Sequence, residues 1–294
     1  MDNMTYDLFI GDRSFSSWSL RGWLMFDKFD LPVNTTRVGL YSGTLQDDLA
    51  PLAPARFVPA MRCPDGVVVG DTLAMAETLH ERHPEAGLWP EDPTARALAR
   101  WMVAEMHSGF GALRTDCPMQ LLGLITDFTA SETVMADLDR LEQLWSLTRN
   151  RHGADGPWLF GTYSLADVFF APVAARIAGF GLSVGDEAQT YVDLHLTDLS
   201  FRRWRALGLT ISYDPVPYID GRPLADWPGP APRAACPSKG PSLNHHCPYS
   251  GDPVTDFLEM EGRIWGFCNP TCRDKTLNDP EAWPAFMTMV AETT

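Results

Sequence analysis

A chain of 294 residues that is 45% hydrophobic and 21% charged is long enough for two domains and apolar enough to bury a substantial core. Its 23 basic and 38 acidic side chains leave a formal charge of −15. That charge repels phosphate backbones and anionic lipid surfaces and, with no Lys/Arg run in the chain, argues against a nucleic-acid partner.

No stretch reaches the roughly 18 apolar residues of a membrane span, so no membrane partner is expected. The opening "MDNMTYDLFIGD" lacks the basic and apolar segments of a secretory signal. A cytoplasmic setting is therefore expected, where six cysteines serve something other than disulfides.

The first element is a short apolar strand, "TYDLFIGD". A hydroxyl-rich joint follows, "SFSSWSLRGW", with serines at 14, 16, 17 and 19. Leu20, Trp23, Leu24 and Phe26 then recur at helical spacing. "VNTTRVGL" is β-rich. "FVPAMRCPDGVVVGD" reads as a hairpin turning at Asp65-Gly66, and "TLAMAETLHERHP" as a helix ending at Pro84. The order β-α-β, hairpin, α predicts a small α/β domain over residues 1–86 with a mixed sheet.

Beyond the Pro-rich joint "LWPEDPTARA" the texture is helical. Amphipathic patterns cover residues 94–114 and 132–150. "YSLADVFFAPVAARIAGF" opens with Ser164 and Asp167 in capping-box order, and its all-round apolar character predicts a helix buried in a bundle. A further helix runs to about Ala206. An all-helical domain is expected over 91–207, a Pro-rich linker over 208–234, and a separate module over 235–294.

These segments resemble the glutathione S-transferase family. "FVPAM" is similar to the family's xVPxL element, in which the proline is cis. "DGVVVGDTLAMAETLHERHP" is similar to its DG…S-x-A-I…P segment, and "LFGTYSLADVFFAPV" to the G-x-x-(S/T)-x-A-D motif of its helical domain. "SFSSWSLR" resembles the serine-type, zeta-like fingerprint SSxSWRVR, with Phe15 interrupting the serine pair. The resemblance covers residues 5 to about 206. It implies a thioredoxin-like N-terminal domain, an all-α C-terminal domain, and a homodimer.

It also implies glutathione as co-substrate. A thiol attacks as its thiolate, and its ordinary pKa near 8.5 must be lowered by the site. A helix N-terminus offers free N–H groups and a positive dipole end, and a serine there adds a hydroxyl donor. Ser is also among the best N-caps, so one serine is expected to cap and another to face sulfur. Ser14 aligns with the family's serine, Ser16 is favoured by its distance to the helix start, and Ser17 stays in the set. Val58 and Pro59 would pair with the peptide backbone of glutathione. Asp71 and Thr72 would hold its γ-glutamyl end. Trp101, Glu105 and Met106 would line the pocket of the second, electrophilic substrate. Arg21 reads as a surface salt-bridge residue or, second, as a substrate-site charge, and His107 as a packed core histidine.

The last sixty residues hold Cys236, Cys247, Cys268 and Cys272 at the spacing C-x10-C-x20-C-x3-C. "CPSKG" and "CPYSG" look like knuckle turns, a hairpin turns at Glu261-Gly262, and a short helix follows Cys272. The order knuckle, hairpin, helix is that of a treble clef. With "GFCNPTC" and "NDPEAW" it resembles the TRASH/YHS metal-binding modules. Structural zinc takes four Cys/His ligands. The set is Cys247, Cys268 and Cys272 with Cys236, or with His245 or His246, as the fourth. So short a segment builds little core, and a metal is expected to supply folding energy.

The resemblance implies a glutathione transferase that attacks a small electrophile. A zeta-like glutathione-dependent cis–trans isomerase and a non-catalytic scaffold whose zinc module binds a partner or senses metal are the alternatives.

Overall fold

The computed structural model describes residues 5–293. The first four residues of "MDNMTYDLFIGD" and the last of the C-terminal module lie outside them. The chain divides into two compact units: residues up to Leu196 together with Tyr218–Pro228, and Thr197–Pro217 together with the segment from Gly229 onward.

The first unit begins with a four-stranded sheet built from β1 (Tyr6–Ile10), β2 (Val33–Arg37), β3 (Ala60–Arg62) and β4 (Val68–Val69) in the order β2-β1-β3-β4. β1 pairs parallel with β2, as a crossover through α1 (Ser17–Asp27) requires, and antiparallel with β3. β3 and β4 form the hairpin predicted around Asp65-Gly66, with Gly66 at φ 86°. Alternate residues of β1, Tyr6, Leu8 and Ile10, are fully buried, so the sheet has one core face. α2 (Leu45–Leu49) and α3 (Thr72–Arg82) complete this part. A Cβ on Gly22 of α1 would meet Pro59 at 2.9 Å. The missing side chain is what lets α1 approach the loop before β3.

The helical part comprises α4 (Pro93–Ser108), α5 (Gly111–Asp116), α6 (Glu132–His152), α7 (Leu165–Phe180) and α8 (Asp186–Thr197). The single pattern read over 94–114 is two helices, because Phe110 takes a left-handed conformation at φ 55° and breaks the ladder. α7 is buried along its whole length, as its apolar sequence predicts. A short β5 (Leu124–Ile125) pairs with β6 (Leu224–Ala225), which fastens residues 218–228 to this unit.

The N-terminus of α7 rests on Asp167. Its carboxylate accepts hydrogen bonds from the Ser164 N–H (2.9 Å), the Ser164 hydroxyl (3.1 Å), the Leu159 N–H (3.2 Å) and the Tyr191 hydroxyl (2.8 Å). The capping box is complete. Tyr191 also packs edge-on against Trp145, which meets Phe170 in turn.

In the second unit, α9 (Leu199–Gly208) lies with a three-stranded antiparallel sheet of β7 (Ala235–Ser238), β8 (Asp256–Met260) and β9 (Arg263–Phe267), and with α10 (Pro270–Asn278) and α11 (Pro284–Glu292). The β8–β9 turn falls at Glu261 and Gly262, both at positive φ, as the sequence predicts. Leu258, Trp265, Phe267 and Phe286 are fully buried around Ala206 of α9. The bidentate pair of Arg202 with Asp279 (2.8 and 2.7 Å) ties α9 to the residue that follows α10. This unit has a core of its own, contrary to the expectation that its residues could build little.

Burial raises the Asp167 pKa to about 6, although its four donors pull it down. A folded-state pKa above the unfolded value near 3.9 favours the protonated form in the fold. The associated stability is full below that unfolded value and is lost as pH rises through 6. Asp167→Asn should flatten the fall in stability between pH 4 and 6, a fall on the order of 3 kcal/mol. Urea melts at stepped pH will check this, and a wild-type stability that does not fall across that window refutes it.

Candidate functional site

A cavity of about 770 Å³ opens where the N-termini of α1 and α3 meet the helical part of the first unit. Its lining includes Ser16, Ser17, Val58, Pro59, Asp71 and Thr72. Six of the seven serine-joint, Val-Pro and Asp-Thr residues singled out in the sequence therefore share one cavity. Ser14 is not among its lining residues. It is buried, and its hydroxyl has no partner among the described residues.

The serines divide the local work. Ser16 is the N-cap of α1: its oxygen accepts from the Ser19 N–H (3.3 Å) and its hydroxyl donates to the Ser19 oxygen (2.8 Å). The Ser19 oxygen also takes the Gly11 N–H (2.9 Å). The Ser16 proton is therefore committed inside the protein. Ser17, the first residue of α1, accepts a hydrogen bond from the Arg176 guanidinium at 3.3 Å. Among the described residues its own proton has no acceptor.

Val58-Pro59 is a cis peptide. Asp71 caps α3 by accepting from the Leu73 and Ala74 N–H groups (2.9 and 3.0 Å) through one oxygen. Its other oxygen lies 3.2 Å from His107 Nε2. Burial lowers the His107 pKa. Asp71 opposes this, and Arg21 and Arg114 add to it, so neutral His107 donates to Asp71. Thr72 is buried beside the cavity, and its hydroxyl has no partner among the described residues.

Sequence reasoning missed the positive charge. Arg176 and Arg114 line the cavity. Arg176 donates to the Cys117 carbonyl (2.9 Å), the Pro172 carbonyl (3.1 Å) and Ser17, and Arg114 donates to the His107 carbonyl (3.1 Å) and stacks 4.7 Å over Trp18. Neither makes a salt bridge among the described residues. Burial first, then Arg114, lower the Arg176 pKa to about 10; it stays protonated at neutral pH. Arg21 is not a surface residue as expected. It is fully buried over Trp18 and Phe169, with Nε and Nη1 unpartnered, and its pKa falls well below the ordinary value through burial and then Arg176 and Arg114. The available signal was a lone arginine in the otherwise apolar α7.

The expected electrophile-pocket residues do not line this cavity. Trp101 is 56% exposed, Glu105 is held by Arg140 (2.7 and 3.0 Å), and Met106 is fully buried. α4 reaches the cavity only at its end, through Ser108 and Gly109. The remaining wall includes Phe15, Arg114, Arg176 and Tyr218.

In the second unit Cys247, Cys268 and Cys272 bring their sulfurs within 4.8 Å of one another, and the last two lie 3.9 Å apart. Two thiolates on a tetrahedral zinc with bonds near 2.3 Å sit about 3.8 Å apart, so the spacing fits. Cys247 is a buried thiol. Burial pushes its pKa up, but backbone N–H groups of Tyr249, Cys268 and Ser250 bring it down to about 7. The Asn269 amide (3.2 Å) and the Ser250 hydroxyl (3.4 Å) donate to Cys268. Lys275 lies over the rings of Tyr249 (3.7 Å) and Trp283 (4.1 Å), and the three cysteines act on its charge.

Cys236 does not join them. "CPSKG" is not a knuckle but part of β7, where Cys236 pairs with Glu259, on the face opposite buried Leu258 and Met260. His245 and His246 are exposed, and His246 Nδ1 is bonded to the Gly251 carbonyl (3.0 Å). Neither belongs to the cluster among the described residues.

Residues 15–82 match the family "Glutathione S-transferase, N-terminal domain". The chain is 27% identical over 172 residues to rat maleylacetoacetate isomerase, spanning 57% of this chain and 76% of the relative. It is 29% identical over 206 residues to the Pseudomonas aeruginosa maleylacetoacetate isomerase, spanning 65% and 91%. Among solved structures, a glutathione transferase homologue from Burkholderia with bound glutathione superposes with a TM-score of 0.53 at 22% identity, over 71% of this chain and all of that one; the likeness is one of fold. No described helix is long and apolar enough to cross a membrane. With a thioredoxin-like sheet, a helical domain and this site geometry in one unit, the chain is similar to the glutathione S-transferase family, on its zeta-like side.

Proposed function

We propose that the protein is a glutathione-dependent cis–trans isomerase of a dicarboxylic alkene conjugated to a carbonyl, of the kind named by its maleylacetoacetate isomerase relatives. The observation that carries this reading is charge. Two helix N-termini and the guanidiniums of Arg114 and Arg176, with no salt bridge among the described residues, converge on one cavity in a chain of net charge −15. A site for a neutral electrophile has no use for two such arginines, whereas an anionic thiol and a dicarboxylate together do. This favours isomerisation over the plain conjugation that the sequence puts first.

Glutathione would lie against Val58, Asp71 and Thr72, its γ-glutamyl carboxylate at the α3 N-terminus and the unpartnered Thr72 hydroxyl. Ser17, rather than Ser16, is the sulfur contact. Its oxygen already accepts from Arg176, which strengthens its O–H as a donor. The thiolate adds to one alkene carbon, and the electron pair of the double bond moves onto the conjugated carbonyl. Rotation about the resulting single bond follows, and expulsion of the thiolate restores the double bond in trans. Glutathione is returned unchanged, and no external oxidant or proton source is consumed. Arg114 and Arg176 hold the carboxylates and stabilise the enolate.

In the second unit, Cys247, Cys268 and Cys272 hold a thiophilic divalent ion such as zinc. When bound, the ion cross-links the 247–250 turn to the start of α10. Lys275 compensates the negative charge left by three thiolates around a dication. A homodimer remains part of the proposal, as implied by the family.

Isomerisation of maleylacetoacetate, followed by absorbance with and without glutathione, tests the enzyme. No glutathione-dependent turnover, together with no calorimetric binding at millimolar glutathione, would falsify it. Ser17→Ala should cut kcat by about 100-fold, the cost of one oriented donor to a developing anion, and leave the Kd for glutathione within about three-fold. Ser16→Ala should instead cost about 1 kcal/mol of stability through the lost cap. A larger kcat loss for Ser16→Ala than for Ser17→Ala reverses the assignment.

For the metal, elemental analysis of the purified protein should find one equivalent of zinc, lost in Cys272→Ser and retained in Cys236→Ser. Retention in the first variant, or loss in the second, removes the three-cysteine site.

A further inference from the structure

One wall of the cavity has no counterpart in the strand, serine, Val-Pro and Asp-Thr motifs. Phe15, which splits the fingerprint's serine pair, is 4% exposed and meets Tyr41 edge-on at 6.1 Å and Tyr218 at 5.8 Å. Tyr41 and Tyr218 meet each other at 6.3 Å. The three rings form a continuous aromatic surface beginning one residue before the N-cap Ser16. Phe15 and Tyr218 line the cavity itself.

Tyr218 comes from far along the chain. It starts the strap of residues 218–228, which clusters with the first unit although the residues before and after it belong to the second. The strap is anchored at several points. Ile219 is buried, β6 pairs with β5, and a Cβ on Gly179 of α7 would lie 3.6 Å from Trp227. Tyr218 itself is held at φ 64°, a left-handed conformation that a bulky residue rarely adopts. Despite this anchoring its ring is 41% exposed, so it presents aromatic surface toward the cavity mouth that a ligand can cover.

We propose that Tyr218 is a specificity-determining residue of the second-substrate side of the cavity. With Phe15 it stacks on a planar unsaturated or aryl group joined to the glutathione sulfur, next to the carboxylate site at Arg176. The proposal rests on the glutathione reading above. It goes beyond that reading by naming a wall supplied by the strap and the kind of group that wall accepts: planar π-systems, in preference to saturated chains of equal size.

The test is calorimetric titration of the full-length protein with glutathione, S-benzylglutathione and S-hexylglutathione. The variants are Tyr218→Gly, which removes the ring and suits the positive φ, and Tyr218→Phe, which keeps the ring. Wild type should prefer the benzyl over the hexyl conjugate. Tyr218→Gly should weaken S-benzylglutathione about ten-fold and leave glutathione within two-fold, and Tyr218→Phe should bind both as wild type does. Equal weakening of all three ligands in Tyr218→Gly marks a merely structural strap and overturns the proposal, as does unchanged benzyl binding. Wild-type protein that binds none of the three overturns the glutathione reading and this inference with it. Glutathione binding with no benzyl preference overturns the inference alone.

Discussion

Arg176 joins the most deeply buried helix of the chain to the first residue of α1. Burying a guanidinium costs several kcal/mol unless its donors are used. Here the carbonyls of Cys117 and Pro172 and the oxygen of Ser17 take three of them. Among the described residues no carboxylate neutralises it. The helical part therefore holds the serine joint in place through a group that remains charged. The same bond that positions α1 polarises the Ser17 hydroxyl and leaves a positive field in the cavity. Arg114 and Arg21 deepen that field: Arg114 lowers the pKa of Arg176, and Arg21 that of His107. Three guanidiniums that repel one another form an arrangement whose electrostatic cost is relieved by an anion, so binding and local stability are coupled at this point.

The periodic and punctuated parts of the fold were legible in the sequence. β1 alternates, the Asp65-Gly66 and Glu261-Gly262 turns carry their own chemistry, and Ser164 with Asp167 announces the start of α7. The Ser, Val-Pro and Asp-Thr motifs found one cavity because each sits at a strand or helix end that the fold must bring to the same edge. What stayed hidden depended on helical phase and on distance along the chain. Trp101 and Glu105, one turn apart, share a face of α4 while Met106 lies on its buried side, and spacing alone does not say which faces a cavity that forms only at the helix end. Arg21 sits on the first turn like many solvated arginines, and nothing local shows that Trp18 and Phe169 close over it.

Phe15 shows how a departure from a fingerprint acquires a physical reason. Read alone, it breaks a serine pair. In the structure it is the inner member of an aromatic trio whose outer member arrives some two hundred residues later. Replacing a hydroxyl by a ring exchanges a polar wall for one that excludes water beside the sulfur position proposed at Ser17. A drier wall strengthens the interactions of Ser17 and Arg176 with an anion. The serine that remains next to the helix dipole therefore has more leverage than a pair facing solvent would have.

The second unit reverses an argument from size. A segment of this length was expected to need a metal to fold, but by recruiting α9 it surrounds Trp265, Phe267 and Phe286 with apolar side chains and adds the Arg202–Asp279 pair. The cysteine triad lies at one edge of that core, where Cys247 is buried and Cys268 and Cys272 are half-buried. An ion there would not create the core. It would fix the turn bearing Cys247 against the first turn of α10, a local constraint added to a unit that already has its own packing. Three cysteines with no fourth ligand in the cluster among the described residues would also leave a bound ion one coordination position for an outside donor. That arrangement suits an exchangeable ion better than the closed four-ligand site the cysteine count suggested.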